Sequence, residues 1–481
     1  MNRRMILRII GLVLRYEALA MIPPLIIAAV TKEPDLFAFI ATTFTLLVTS
    51  IILTNIPLVK KTLKVKDALT VVAFAWILAS AFGALPFVIS GYIPSFVDAY
   101  FETVSGLTTT GATILTNVEI LPHGLLFWRS FTHWIGGMGI LVLALAIMPS
   151  VGVGAFQLFK AESPGPISDK LVPKMKDTAK ILYTAYLGIT ALEVILLLLG
   201  GMSLYESLIH TFGTVGTGGF STRNASIGAF NYSPYLVVVI TIFMIASGVN
   251  FSLYYELYKG RFSNIFKNIE FRVYMSIIFV SSLLIAFNLR GYYTNILEAL
   301  MHSFFQVGSI ITTTGYATVD FDLWPSFSKT LLFFLLFVGG SAGSTGGAIK
   351  VVRIIMLFKL VKREIQKLLH PRAVIPIQFN GKIVQPDVIA GVSGFFFLYI
   401  VIFLVATLLL TFEDISFMSA ASAAAATLGN VGPGFEAVGP IRNYAFFSPW
   451  AKLLMSMLML FGRLELYTIL VLLSPSHWSK N

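Results

Sequence analysis

Ten stretches of this chain are apolar for about twenty residues or more, and no other feature narrows its fold so far. They run near 7 to 30, 36 to 58, 68 to 90, 125 to 148, 179 to 200, 234 to 258, 271 to 289, 328 to 360, 387 to 411 and 446 to 473. A bilayer core of about 30 Å takes about 20 apolar residues of helix, so each stretch reads as a crossing and the chain as an all-α polytopic membrane protein. Composition agrees: 57% of the 481 residues are hydrophobic and only 12% are charged, against about 25% charged in an ordinary soluble domain.

The formal charge of +11 would suit a nucleic-acid partner, but most of the 34 Lys and Arg lie in short segments between apolar runs. That distribution orients a membrane protein and builds no phosphate-binding face, so no nucleic acid is expected. Lys60, Lys61, Lys64 and Lys66 fill one connection, and Lys160, Lys170, Lys174, Lys176 and Lys180 the next. Lys259, Arg261, Lys267 and Arg272 fill a third, and Lys362, Arg363, Lys367 and Arg372 a fourth. Between them, Lys32 is offset by Glu33 and Asp35, the stretch from Tyr92 to Asp98 has no basic residue, and Glu413 and Asp414 open the last connection. The positive-inside rule therefore predicts both termini on the cytoplasmic side. Arg3, Arg4 and Arg8 precede the first apolar run as in a secretory signal, but a second span follows so closely that an uncleaved anchor is expected. With no cysteine, neither disulfides nor thiolate metal sites are available.

Between several crossings lies a segment too short to span, ending in Thr and Gly. Irregular backbone at membrane depth has to line water or be buried in protein, so these segments read as re-entrant loops. The first cluster is Thr108-Thr109-Thr110-Gly111-Ala112-Thr113, the second Thr217-Gly218-Gly219-Phe220-Ser221-Thr222, and the third Thr312-Thr313-Thr314-Gly315-Tyr316-Ala317-Thr318. A fainter fourth is Gly429-Asn430-Val431-Gly432-Pro433-Gly434. Gly111, Gly219, Gly315 and Gly432 recur at intervals of roughly 100 residues, the size of a helix, loop and helix unit. Each follows a short helical segment such as Ala99 to Leu107 or Leu297 to Ile311. The fold expected is thus four helix/pore-loop/helix repeats, at 67 to 178, 179 to 268, 269 to 372 and 373 to 481, after two extra N-terminal transmembrane helices within 1 to 66.

A cation that sheds its water needs a ring of oxygens in exchange, and backbone carbonyls supply them without full charge. Glycine reaches φ > 0, which lets successive carbonyls turn to one axis. The short helices would aim their partly negative C-terminal ends at the pore. The candidate cation filter comprises Thr109, Thr110, Gly111, Thr217, Gly218, Gly219, Thr313, Thr314, Gly315, Asn430, Val431 and Gly432. A cation is expected as the transported species, with no bound organic cofactor.

The chain resembles the TrkH/TrkG subunits of the bacterial Trk potassium uptake systems, within the Trk/Ktr/HKT superfamily. The resemblance rests on Trp134-Ile135-Gly136-Gly137-Met138-Gly139, the two Thr-Thr-Thr-Gly loops, Asn430-Val431-Gly432-Pro433-Gly434 and Gly462-Arg463-Leu464-Glu465. It implies a pseudo-fourfold arrangement of the four repeats about one pore, a homodimer, a cytosolic nucleotide-binding gating partner of the TrkA type and a place in the cytoplasmic membrane. In plant relatives a serine replacing the first filter glycine goes with sodium transport, so glycine at all four positions favours potassium. Gly218, standing where the first and third loops have Thr, makes the second loop less regular.

The span from 328 to 360 is interrupted by Gly339-Gly340-Ser341-Ala342-Gly343-Ser344-Thr345-Gly346-Gly347. At about 1 kcal/mol per Gly relative to Ala, a break in mid-membrane is expected. The resemblance assigns this run, with Gly339, Gly340, Gly343, Gly346 and Gly347, the role of a gate beneath the filter; close packing of helices through small residues is the alternative. Arg463, deep in the last span, is a functional candidate because a charge there is costly. The resemblance places it at the pore below the filter, and a structural pair with Glu465 or a carbonyl is the alternative. Lys350 and Lys452 are expected to snorkel from span ends, and Asn250 to make an interhelical hydrogen bond. His123, His133, His210 and His302 lack metal-site spacing and suit pore-helix or interface positions. Glu102, His210 and Gln306 fall at equivalent places ahead of their glycines, where they would anchor the pore helices.

Two other classes compete. An enzyme acting on lipid-linked substrates would leave four similar loops without a reason. A sodium- or proton-coupled secondary transporter would use broken helices and midplane carboxylates, and these spans hold few acids.

Overall fold

The computed structural model describes residues 1 to 58, 63 to 139 and 175 to 478. Lys60, Lys61, Lys160, Lys170, Lys174 and the part of the expected fourth span beyond residue 139 lie outside the described residues. The described chain is almost wholly helical, and its strands are a two-residue antiparallel pair, Gln378–Phe379 with Lys382–Ile383.

Among the described residues five helices are long and apolar enough to cross a membrane: Leu36–Thr54, Val65–Ile89, Ala179–Leu199, Ile269–Asn288 and Pro386–Glu413. They coincide with five of the ten expected crossings. Leu36–Thr54 has only 28% of its apolar window buried, and Phe37, Phe44 and Ile52 stand exposed. A face of that kind is at home against lipid.

Of the other expected crossings, 328 to 360 breaks as expected, while interruptions within 7 to 30, 125 to 148, 234 to 258 and 446 to 473 correct the reading of those four as continuous. The stretch 234 to 258 is two helices, Pro234–Ser247 and Phe251–Tyr258, bent by 98° at their junction. The stretch 328 to 360 ends as a helix at Leu335 and resumes as Val351–Leu369. In the last span, helix Pro449–Arg463 gives way to Glu465 and Leu466, both at positive φ, before Tyr467–Leu473. In the first repeat, His123–Gly137 stops at Met138. The helix that follows each Thr/Gly cluster therefore halts part-way, a tertiary regularity that hydropathy averages over. At the N-terminus, Arg3–Ala20 meets Ile22–Thr31 at Met21, where Pro23 and Pro24 restart the helix.

Freed backbone groups at these breaks find one another, as membrane depth demands. Ser341 N donates to Gly248 O at 2.8 Å and Phe251 N to Gly343 O at 3.0 Å, so the breaks of the second and third repeats are stitched together. Asn250 is not an interhelical bridge: its Oδ1 accepts from Ser252 N at 2.9 Å and caps the half-helix that restarts after the bend. The N-terminal pair of helices is clamped to the first repeat through Glu33, which accepts from His123 N at 2.8 Å, and Asp35, which accepts from Leu125 N at 3.1 Å.

Candidate functional site

Four short helices lead into the Thr/Gly clusters: Phe96–Leu107, Leu204–Val215, Ile296–Ile311 and Phe417–Leu428. Each opens on a polar N-cap, with Ser95, Ser203, Asn295 and Ser416 accepting from Asp98, Glu206, Leu297 and Ser419 N–H. Three of these helices have twelve residues, about 18 Å, and Ile296–Ile311 has sixteen, about 24 Å, all too short to cross a bilayer core of about 30 Å.

The four loops that follow share one backbone conformation. Thr109, Thr217, Thr313 and Asn430 have φ of 55°, 56°, 59° and 55°, and two residues on Gly111, Gly219, Gly315 and Gly432 have φ of 81°, 77°, 81° and 97°. The intervening residue donates its N–H five residues back in every case: Thr110 to Ser105 O, Gly218 to Gly213 O, Thr314 to Ser309 O and Val431 to Ala426 O, each at 2.8 Å. The faint fourth cluster is thus as regular in space as the other three.

The glycines close a ring. A Cβ added at Gly111 would strike Gly218 O, at Gly219 it would strike Thr314 O, at Gly315 Val431 O and at Gly432 Thr110 O. Each loop therefore abuts the carbonyl of the next in chain order, and the fourth abuts the first. All four glycines line a single cavity of about 110 Å³. The irregular second loop has a steric cause: a Cβ at Gly218 would run into the His133 ring, leaving no room for threonine there.

Side chains on the short helices fasten the chain leaving each glycine. Glu102 accepts from Thr113 Oγ1 at 2.9 Å, from Ile114 N at 2.9 Å and from Arg129 Nε at 2.6 Å. His210 Nε2 pairs with Ser221 Oγ at 3.0 Å, and Gln306 Nε2 donates to Thr318 Oγ1 at 3.2 Å. The equivalence of Glu102, His210 and Gln306 was legible in their spacing. In the fourth repeat Ala423 takes that place, and neighbouring Ser422 accepts from Phe435 N at 3.0 Å. His302 adds a second bond to Thr318 Oγ1 at 2.9 Å. His133 joins two repeats as one neutral tautomer, donating from Nδ1 to Gly106 O at 2.7 Å and accepting at Nε2 from Phe220 N at 3.2 Å. His123 pairs with Glu33 at 2.8 Å at the rim. Among the described residues no three of His, Asp and Glu are grouped to hold a metal.

Tyr444 is buried and donates to Gly432 O at 2.7 Å. Tyr444→Phe is expected to lower stability by about 1 kcal/mol, the net worth of one such bond, read as a lower thermal midpoint in detergent.

On the other side of the ring lies the glycine run. Gly347 N donates to Thr313 Oγ1 at 2.7 Å, and Thr345 Oγ1 donates to Ser247 O at 3.1 Å. A Cβ at Gly346 would stand 3.0 Å from Thr312 O, and one at Gly347 would stand 2.5 Å from Gly429 O, so the backbone presses against the third and fourth loops. At Gly339 a Cβ would strike Gly347 O, at Gly340 it would meet Gly248 O at 2.9 Å, and Gly343 sits at φ 72°. Arg463 spans the gap to the first repeat. It donates to Thr345 O at 2.7 Å and to Gly137 O at 2.7 Å, and also bonds Gly136 O. Arg463 thus bonds carbonyls of two other segments, and Glu465 pairs with Arg353.

Two expectations are overturned here. Lys350 does not snorkel: it is buried and its Nζ is bonded to Gly346 O inside the glycine run. Lys452 is buried likewise, with Nζ 2.7 Å from Asp98 Oδ1 at the start of the first short helix. In both cases a buried acceptor, four residues back for Lys350 and on a distant segment for Lys452, outcompetes the water a snorkelling ammonium would seek. Sequence reasoning also missed Arg129, stacked 3.4 Å from the Phe220 ring centroid, and Glu270, whose Oε1 accepts from Ala342 N at 2.8 Å within the glycine run and from Val352 N at 3.1 Å in the helix that follows it. The signal for both was a lone charge within or at the edge of an apolar span.

The TrkH family model, described as cation transport protein, matches residues 38 to 481. The Trk system potassium uptake protein TrkH of Salmonella typhimurium is 39% identical over 99% of this chain and 100% of its own length. TrkG of Escherichia coli K12 is 36% identical over 99% of this chain and 98% of its own. The crystal structure of the potassium transporter TrkH from Vibrio parahaemolyticus superposes with a TM-score of 0.89 at 36% identity, covering 100% of both chains. With four equivalent loops closed about one cavity and relatives matched along essentially its whole length, this chain belongs to the TrkH family of cation transport proteins.

Proposed function

We propose that this chain takes up potassium across the cytoplasmic membrane through a filter made by its four loops, with both termini in the cytoplasm. What carries the reading is that Gly111, Gly219, Gly315 and Gly432 border one cavity while each packs on a carbonyl of the next loop. Carbonyls held that closely can replace the hydration shell of a monovalent cation. The relatives' names, potassium uptake proteins of a Trk system, support the choice of ion and the need for further subunits. The repeats would be the units 67 to 178, 179 to 268, 269 to 372 and 373 to 481, preceded by the two helices of 1 to 66.

The run Gly339 to Gly347 and Arg463 act as the barrier beneath the filter, in a closed state. Their contacts with Ser247, Thr313, Gly136 and Gly137 put one obstruction against the first three repeats, and Arg463 belongs to the fourth. A cytosolic nucleotide-binding subunit of the TrkA type releases it, and two copies of this chain assemble as a homodimer. Rubidium-86 uptake into proteoliposomes is the direct test: flux that potassium competes away is the expected result, and no flux with or without a cytosolic partner refutes the pore.

A further inference from the structure

The mouth above the four glycines is an unusual entrance for a cation. Arg129, Arg223 and Arg442 line it, and no Asp or Glu does. Arg129 is neutralised by Glu102 at 2.6 Å and Arg223 by Glu206 at 2.8 Å. Arg442 is exposed and has no ion-pair partner among the described residues. Asp322, across the Gly439 turn, accepts from Glu436 N at 2.9 Å and faces Lys329 at 3.8 Å. Glu119, at the rim, accepts from Asn224 N at 3.1 Å. Within the cavity wall itself one positive charge is left over.

We infer that Arg442 is a specificity-determining residue of the outer mouth, whose charge holds divalent cations away from the filter more strongly than it holds away potassium. The inference rests on the proposed filter and its outward orientation. A positive potential in a confined, low-dielectric mouth lowers the local concentration of a cation by a Boltzmann factor whose exponent scales with valence. A depletion of about twofold for a monovalent ion then becomes about fourfold for a divalent one. Magnesium and calcium, which a narrow carbonyl ring cannot pass but can be blocked by, are selectively thinned out at modest cost to potassium capture.

The test uses rubidium-86 uptake at low ionic strength by cells that depend on this chain, with external magnesium as the blocker. R442Q is expected to lower the half-blocking magnesium concentration about fourfold and the rubidium KM about twofold, and R442E to square both factors. R442K, which keeps the charge, is expected to match the wild type. At about 1 M of an impermeant salt, where screening acts over about 3 Å, the differences are expected to vanish. Equal shifts for magnesium and rubidium, R442K behaving like R442Q, persistence of the shifts in high salt, or no magnesium block even in R442E would each overturn the inference. Absence of rubidium uptake in the wild type would strike instead at the proposed filter.

Discussion

Gly315→Ser and Gly111→Ser are each expected to cost the protein at least tenfold of its preference for potassium over sodium. Both glycines sit at φ 81°, where a side chain adds about 1 to 3 kcal/mol of backbone strain. Both would also drive a Cβ into a carbonyl oxygen of the neighbouring loop, Val431 O for Gly315 and Gly218 O for Gly111. The new side chain must push that carbonyl aside, and about 1.4 kcal/mol of altered ion binding is a factor of ten. Gly315 is the more sensitive of the two, because its Cβ would also lie 2.8 Å from Pro433 Cδ, whereas the next contacts at Gly111 are beyond 3 Å. Sodium competition against rubidium uptake reads the outcome. Unchanged ion preference in both variants would remove these glycines from the filter.

Arg463→Ala is expected to raise basal flux, measured without any cytosolic partner, by about ten- to a hundredfold. Its guanidinium holds Thr345 O of the glycine run and Gly136 and Gly137 O of the first repeat. A hydrogen bond from a charged donor contributes about 1.5 to 3 kcal/mol, so losing one such bias toward the closed arrangement multiplies the open population by that range. Arg463→Lys keeps the charge but not the fork that reaches two carbonyl groups at once, and is expected to fall between. A loss of flux in well-folded Arg463→Ala protein would contradict a barrier role.

The glycine run illustrates how far sequence reading reached. Its break in the helix followed from local propensity, and the helix does stop at Leu335 and resume at Val351. The bend of 98° at Gly248 was missed, because the flanking residues from Pro234 to Tyr258 are apolar enough to average into one span. Lys350 and Lys452 were misplaced for a related reason: a lysine near a span end finds either water or a buried acceptor, and only the packing of Gly346 and Asp98 against them decides which.

The amino-acid sequence by itself determined the membrane class, the four-loop repeat and the identity of the hinge glycines, because hydropathy, spacing and the φ > 0 requirement are local properties of a chain. It also placed Glu102, His210 and Gln306 at matching offsets, which the hydrogen bonds to the segments leaving each glycine explain. Only the tertiary structure decided that the loops close in the order one, two, three, four, that His133 forces glycine at position 218, and that Arg463 grips two repeats besides its own. Those facts depend on which segments meet across roughly 100 to 300 residues of sequence, and such meetings are settled by the joint packing of all four repeats and by the need to satisfy every backbone amide away from water.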